Sequence, residues 1–154
     1  MTNKTDPTSG LEGKFSISFC AALAIEKGEV KEGQFTPKMV NDDRIRDLMR
    51  KTILIGNESL EEIEANVRVK LKNGIQYSHH VAAPKGDPQN PLSFDEIVGK
   101  FKDLAHPVLS ERRMNQIINL VQDLPNLENL SKLIKLCCVN CNPSGKVIHR
   151  QGNL

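Results

Sequence analysis

The sequence predicts an α+β fold in which a small antiparallel or mixed sheet, with a hairpin at its centre, is packed by helices and followed by a C-terminal run of helices. Three observations support this class. Apolar residues recur at helical spacing near the start of the chain, alternate at every second position near its middle, and return to helical spacing towards its end.

The composition excludes several classes of protein. The chain has 154 residues, and its 21 Lys and Arg residues nearly balance 19 Asp and Glu residues. This balance, with no Trp and one Tyr, argues against a nucleic-acid partner, which requires a basic face and stacking side chains. No apolar stretch reaches the roughly 20 residues of a membrane-spanning helix. With four Cys residues and no secretory signal, we expect a cytoplasmic protein with reduced thiols.

The first predicted elements are helices. Phe15–Lys27 has mostly helical apolar spacing and few β-branched residues, and Gly28 follows it at a position where helices commonly end. The pair Thr36-Pro37 is typical of an N-cap and the first position of a helix. A further helix is predicted over Asn41–Lys51, with Asn41 as its cap.

The middle of the chain is predicted to form strands. Thr52–Ile55 is a short strand candidate, and Asn66–Lys72 alternates between apolar and basic residues. Asn73-Gly74 is typical of a type I′ turn, which would return the chain into a partner strand over Ile75–Ala83. The side chains of Val67, Val69 and Leu71 would face one way and those of Arg68, Lys70 and Lys72 the other. We therefore predict an antiparallel hairpin with one charged face.

The remaining elements are predicted helices. Ser93 and Glu96 have the spacing of a capping box and open a helix that Pro107 ends or kinks. Two more helices are predicted over Ser110–Asp123 and Asn126–Cys138. In this scheme residues 1–13 are a flexible lead-in, 14–109 an α+β domain, 110–138 the C-terminal helices and 139–154 a flexible tail.

The potential metal ligands have poor spacing for a site. Cys138 and Cys141 form a single CxxC pair with only His149 nearby, whereas structural zinc needs four converging ligands. We prefer a helix end with incidental thiols to a thiol or zinc role. The adjacent His79 and His80 would point to opposite faces of a strand and cannot chelate one ion together. We therefore expect no metal site and no cofactor.

The loop Lys85-Gly86-Asp87-Pro88 combines groups that suit an anion. Gly86 permits close backbone approach, and Lys85 supplies a positive charge for a carboxylate. The loop leads to a helix start at Ser93, where backbone amides also favour anions. The alternative is a rigid connection between strand and helix, and the sequence leaves both interpretations open.

The order of several short motifs resembles the MmgE/PrpD family, over about Lys14 to Leu136. These motifs are Lys14–Phe19 (KFSISF), Gly28–Val30 (GEV), Lys72–Gly74 (KNG), Lys85–Pro88 (KGDP) and Asn90–Ser93 (NPLS). The family includes 2-methylcitrate dehydratase, cis-aconitate decarboxylase and iminodisuccinate epimerase, which are two-domain enzymes of small polycarboxylates. The resemblance implies that residues 14–109 are the smaller, lid-type domain of such an enzyme.

The same resemblance has consequences for activity and partners. The family's principal catalytic Asp, His and Lys residues lie upstream of the matching region, so we assign no catalytic residue here. It implies a metal-independent lyase or isomerase, similar to 2-methylcitrate dehydratase, that is inactive without a helical N-terminal domain or subunit. Residues 110–138 would pack on that partner, and without it we expect an exposed apolar patch or a homo-oligomer. The alternative is a non-enzymatic interaction module, or a split subunit that binds a separate helical chain.

The resemblance also implies substrate-binding positions. Dehydratase and decarboxylase members have Gln-Tyr where this chain has Ser18-Phe19, and that Tyr supplies an active-site hydroxyl. Phe19 cannot donate a hydrogen bond, so a different chemistry or substrate is implied. We expect the substrate-binding residues to be Lys14, Ser18, Phe19, Lys85 and Gly86.

Overall fold

A computed structural model describes residues 3–138. The described chain divides into two compact units between Pro84 and Lys85. The part described contains helices and one two-stranded antiparallel sheet, which confirms the predicted fold class. None of the helices within residues 3–138 is long and apolar enough to cross a membrane. The predicted tail at 139–154, with Cys141 and His149, lies outside the described residues.

The N-terminal residues are tied to the helices that follow them. We expected a flexible lead-in over residues 1–13, but Gly10–Gly13 forms a short helix, α1, and Pro7 is fully buried. Arg46 Nη2 donates to the Pro7 carbonyl oxygen at 2.7 Å, and the Ile17 backbone N–H donates to Asn3 Oδ1 at 3.0 Å. Polar composition did not reveal these contacts, because each one joins residues distant in sequence.

Three further helices build the core of the first unit. They are α2 over Ile17–Lys27, α3 over Pro37–Val40 and α4 over Asp43–Lys51. The core residues are Phe19, Ala22, Leu23, Val40, Ile45 and Met49. All of them except Val40 come from α2 and α4, so the packing of these two helices dominates the unit.

The N-caps explain where these helices begin. Ser16 Oγ accepts from the Phe19 N–H at 3.3 Å, so α2 begins after Ser16 rather than at Phe15. Thr36 caps α3 as predicted. Asp42, and not Asn41, caps α4, because its carboxylate accepts from two backbone N–H groups of the first turn.

The hairpin consists of β1 over Ala65–Lys70 and β2 over Gln76–Val81. Its turn differs from the predicted type I′ turn, which requires positive φ at both central residues. Only Gly74 has positive φ, at 88°, and its N–H donates to the Leu71 carbonyl at 3.0 Å. The connection therefore fits a type I turn followed by a left-handed glycine, since Asn73 keeps a negative φ.

The hairpin is amphipathic, and both of its faces are exposed. Val67 lies opposite His79 and Val69 opposite Tyr77, which gives one mostly apolar face. We expected helices to pack on the sheet, yet all strand residues except Val69 and Val81 are exposed. Alternation correctly predicted the two faces, but it does not say whether a face is covered.

The predicted strand at Thr52–Ile55 does not form. Thr52 instead ends α4, with its N–H donating to the Met49 carbonyl at 3.0 Å. Ile53 is 81% exposed and Ile55 84%. These β-branched residues have high strand propensity, but propensity alone supplies no neighbouring strand.

The described residues of the second unit, 85–138, form three α-helices: α5 over Phe94–Ala105, α6 over Glu111–Gln122 and α7 over Ser131–Cys137. Helix α7 begins later than predicted because a 3₁₀ turn occupies Leu124–Asn126. The buried residues are Ala105, Leu109, Met114 and Ile117, with Phe101, Leu133 and Leu136 packed against them. The C-terminal helices thus bury a small core of their own, while Ile134 stays 62% exposed.

Candidate functional site

Lys14 lies between α1 and α2 and faces solvent in part. Its ammonium pairs with the Glu32 carboxylate and stands 5.8 Å from the centroid of the Phe35 ring. Because the side chain is 37% exposed, an anion from solvent can reach it. Glu32 was missed by sequence reasoning, since no local motif links it to Lys14.

Ser18 and Phe19 lie at the start of α2 and are both buried. Phe19 has no exposed surface, and its ring centroid lies 5.9 Å from that of Phe35. A Cβ placed on Gly13 would lie 3.0 Å from the Phe19 ring, so that glycine leaves room for it. Phe19 is therefore a packing residue, and Lys14 and Phe19 approach the same Phe35 ring.

Lys85 is held by the start of α5. Its Nζ lies 3.0 Å from Glu96 Oε1, and both the N–H and the hydroxyl of Ser93 donate to Glu96 Oε2. The Ser93 backbone N–H, the Lys85 ammonium and the Ser93 hydroxyl together lower the pKa of Glu96 to about 2. The predicted capping box is thus confirmed, and it includes a cation that the box motif does not predict.

The loop between Lys85 and Ser93 has a defined turn. Gly86 has a φ of 94°, and its N–H donates to the Asn90 carbonyl at 2.8 Å. Asp87 Oδ1 accepts from the Gln89 N–H at 2.9 Å. These bonds make the loop a rigid connection, as one of the two interpretations expected.

The five expected residues form two sets. Lys14, Ser18 and Phe19 belong to the first unit, where the Phe35 ring joins two of them. Lys85 and Gly86 belong to the second unit. Each set contains one lysine already paired with a glutamate, so each could bind a carboxylate by exchanging that partner.

The two histidines of the hairpin lie on opposite faces, as predicted. His79 is the cross-strand partner of Val67 on the mostly apolar face. On the other face, Nδ1 of His80 lies 3.0 Å from Oδ1 of Asn66. Within residues 3–138, no three His, Cys, Asp or Glu side chains gather closely enough to hold a metal ion.

Comparison with known proteins points to one family. Residues 1–124 match the family model described as the MmgE/PrpD C-terminal domain. A cis-aconitate decarboxylase-like protein of Aspergillus oryzae is 28% identical over 135 residues, and the match covers 84% of this chain and 28% of that protein. A cis-aconitate decarboxylase of Mus musculus is 25% identical over 138 residues, covering 87% of this chain and 28% of the relative.

A third relative matches this chain with similar identity and coverage. A cis-aconitate decarboxylase of Aspergillus terreus is 27% identical over 142 residues, which cover 88% of this chain and 28% of that protein. The chain therefore spans less than a third of the length of the curated relatives that it matches.

Proposed function

This chain belongs to the MmgE/PrpD family, with its residues 1–124 matching the family's C-terminal domain, and from that membership we propose that it is the lid-type domain of a lyase or isomerase of small polycarboxylates. The family match over most of the chain is the observation that carries the proposal. The relatives named as cis-aconitate decarboxylases favour a tricarboxylate as substrate. Dehydration of 2-methylcitrate is the second reaction to test.

In this proposal the lysines contribute charge to substrate binding. Lys14 and Lys85 are both partly exposed and each is paired with one glutamate, so a substrate carboxylate can compete for either ammonium. Gly86 directly follows Lys85 and could let a substrate approach the backbone closely, whereas Ser18 is buried beside Phe19. Phe19, which is fully buried, supports the position of α2 from beneath rather than contacting the substrate.

The groups that move protons are proposed to come from a helical partner. The chain spans about 28% of the length of its relatives. We propose that a helical domain or subunit of the same family supplies the general acid and base, and that the 154-residue chain alone has no turnover.

The experiment is an assay of this chain with and without its partner. The tagged chain is used to recover associated proteins from its source cells, and the recovered chains are identified by mass. Decarboxylation of cis-aconitate and dehydration of 2-methylcitrate are then measured. We expect no turnover with the purified chain alone and turnover of one substrate when an MmgE/PrpD helical domain is present. Turnover by the chain alone, or a complex inactive on both substrates, would contradict the proposal.

A lysine variant tests the site within that complex. Lys14→Met should raise KM because a positive charge facing a carboxylate is lost, while kcat changes less. Lys38→Met, at another basic position of the first unit, serves as the control and should leave KM unchanged.

The second candidate function is a non-enzymatic interaction module. The exposed apolar face of the hairpin favours it, since such a surface is typical of a protein contact. Light scattering would separate a homo-oligomer of this chain from a complex with a helical partner. A stable complex without turnover on either substrate would favour this second function.

A further inference from the structure

The tip of the hairpin carries the one Asn-Gly pair of the sequence, Asn73-Gly74. Both residues are exposed, and Gly74 has a positive φ of 88°. The Asn73 side chain folds back over the turn, because its Oδ1 accepts from the Ile75 backbone N–H at 3.1 Å. The ring closed by this hydrogen bond contains both Cγ of Asn73 and the backbone nitrogen of Gly74.

We propose that Asn73 is a site of spontaneous deamidation. The backbone nitrogen of Gly74 loses its proton to solvent base and attacks Cγ of Asn73, which forms a C–N bond. The C–N bond of the side-chain amide then breaks, its nitrogen takes a proton from water, and ammonia leaves a cyclic imide behind. Water opens this imide at the side-chain carbonyl to give aspartate, or at the main-chain carbonyl to give isoaspartate.

Three features of the turn favour the attack. The Ile75 N–H already donates to Oδ1, the oxygen on which negative charge develops when Cγ is attacked. Gly74 has no Cβ, so its nitrogen can approach Cγ without a side chain in the way. Lys72, directly before Asn73, and Lys70, the last residue of β1, place positive charge at this end of the hairpin. Nearby positive charge favours the anionic form of the reacting groups.

One hydrogen bond opposes the reaction. The Gly74 N–H donates to the Leu71 carbonyl at 3.0 Å, and the nitrogen attacks only when this bond opens. Leu71 and Gly74 are both exposed at the tip of a two-stranded sheet, an arrangement of marginal stability. Such a tip opens locally more often than a core does. The bond therefore limits the rate without preventing the reaction.

Asn57 provides a matched control within the same unit. Its Oδ1 accepts from the Ser59 backbone N–H at 3.0 Å, so its side chain has the same donor geometry as that of Asn73. The residue that follows it is Glu58, whose side chain hinders the attacking nitrogen. We therefore expect conversion at Asn73 and not at Asn57. This inference does not depend on the proposed enzymatic function.

Deamidation would change both the charge and the length of the turn. Aspartate and isoaspartate each add a negative charge next to Lys72. Isoaspartate also routes the main chain through Cγ, which adds one backbone atom before Gly74. The Lys70–Gln76 pair closes the strands beside this turn, and turn geometry fixes the register of a hairpin. Aged molecules therefore carry an altered hairpin.

Ageing of the full chain, followed by peptide mass spectrometry, tests the proposal. The folded protein is incubated in mildly alkaline buffer, and residues 57 and 73 are followed in parallel with the ammonia released. We expect conversion at Asn73 to be at least about tenfold faster than at Asn57, with both aspartate and isoaspartate as products. An Asn73 that stays an amide in the folded chain would overturn the proposal. So would aspartate alone, because direct hydrolysis forms no isoaspartate.

Two variants isolate the role of the glycine. Glu58→Gly places a glycine after Asn57 and should make that residue deamidate. Gly74→Asn should slow conversion at Asn73 about tenfold, because asparagine tolerates positive φ but adds a side chain. Hydrogen exchange of β1 and β2 checks that the hairpin persists in this variant. An unchanged rate at Asn73 in an intact hairpin, or no conversion at Asn57 in Glu58→Gly, would contradict the proposal.

Discussion

The guanidinium of Arg113 donates from Nε to the carbonyl oxygen of Leu136 at 2.6 Å. The same side chain donates from Nη2 to the carbonyls of Lys135 at 3.0 Å and Cys138 at 2.6 Å. The last carbonyls of a helix have no partner within it. Arg113 of α6 therefore caps the C-terminal end of α7, and a charged side chain joins the two helices beside their apolar contacts.

Loss of this cap should loosen α7. We expect Arg113→Met to lower the free energy of unfolding of the second unit by about 1.5–3 kcal/mol, the usual range for hydrogen bonds to a charged group. Protease cleavage near α7 should also become faster. Arg112→Met is the matched control, because Arg112 is exposed and should change stability by less than about 0.5 kcal/mol. Equal stability of the two variants would exclude the capping role.

Gly10 tests whether the N-terminal residues are part of the fold. A Cβ at Gly10 would lie 2.0 Å from the Phe35 carbonyl oxygen, so the backbone of one segment must move. We expect Gly10→Ala to destabilise the first unit by about 1–3 kcal/mol in urea denaturation. A Cβ at Gly33 would meet no atom within 4 Å, and Gly33→Ala should be nearly neutral. If both variants unfold at the same urea concentration, residues near Gly10 are not packed as described.

Phe19→Tyr tests the role of packing at the position where the family resemblance implies a tyrosine. Because Phe19 is fully buried, an added hydroxyl must be desolvated, and without a partner this costs about 1–3 kcal/mol of stability. Phe15→Tyr is the control, because Phe15 is 52% exposed and its added hydroxyl stays in water. Thermal unfolding of both variants checks this expectation. A Phe19→Tyr variant as stable as the unchanged chain would mean that the pocket has a hydrogen-bonding partner for the hydroxyl.

Protonation of Glu96 determines the pH below which the α5 capping box is weakened. Its pKa in the folded chain is about 2, against an ordinary value of 4.5. Since the pKa is lowered by folding, the carboxylate contributes stability above pH 4.5 and loses that contribution as the pH falls towards 2. NMR titration of the Glu96 side chain should show the low value.

Two variants identify the causes of this low pKa. Lys85→Met and Ser93→Ala should each raise the pKa of Glu96, because each removes one donor to the carboxylate. Lys102→Met removes a charge from another side of the same helix without removing a donor to Glu96, and it should leave the titration unchanged. A Glu96 that titrates like an ordinary glutamate in the unchanged chain would disprove the interaction with Ser93 and Lys85.

The parts of the fold that were predicted correctly depend on neighbours in sequence. The Ser93 and Glu96 box and the Thr36 cap are short-range contacts, so residue type and spacing suffice. The hairpin was also predicted, but its turn type was not, because it depends on the sign of φ at Asn73. The ordered structure of residues 3–13 was not predicted, because their contacts with Arg46 and Ile17 join residues that are distant in sequence.

The sequence predicted only part of the candidate site. Motif order indicated Lys14 and Lys85, and both side chains are partly exposed. Their glutamate partners were not predicted, because no local motif links Glu32 to Lys14 and Glu96 was assigned only to the capping box. The burial of Phe19 was also not predicted, because it depends on three-dimensional packing.

The pairing of Lys85 with Glu96 would link binding of the proposed substrate carboxylate to the start of a helix. An anion that binds the Lys85 ammonium competes with the Glu96 carboxylate, whose other oxygen accepts from Ser93. By thermodynamic reciprocity, whatever weakens the capping of α5 makes the lysine easier to capture, and capture of the lysine weakens the capping in return. The stability of the first turn of α5 and the binding of an anion at Lys85 are therefore thermodynamically coupled.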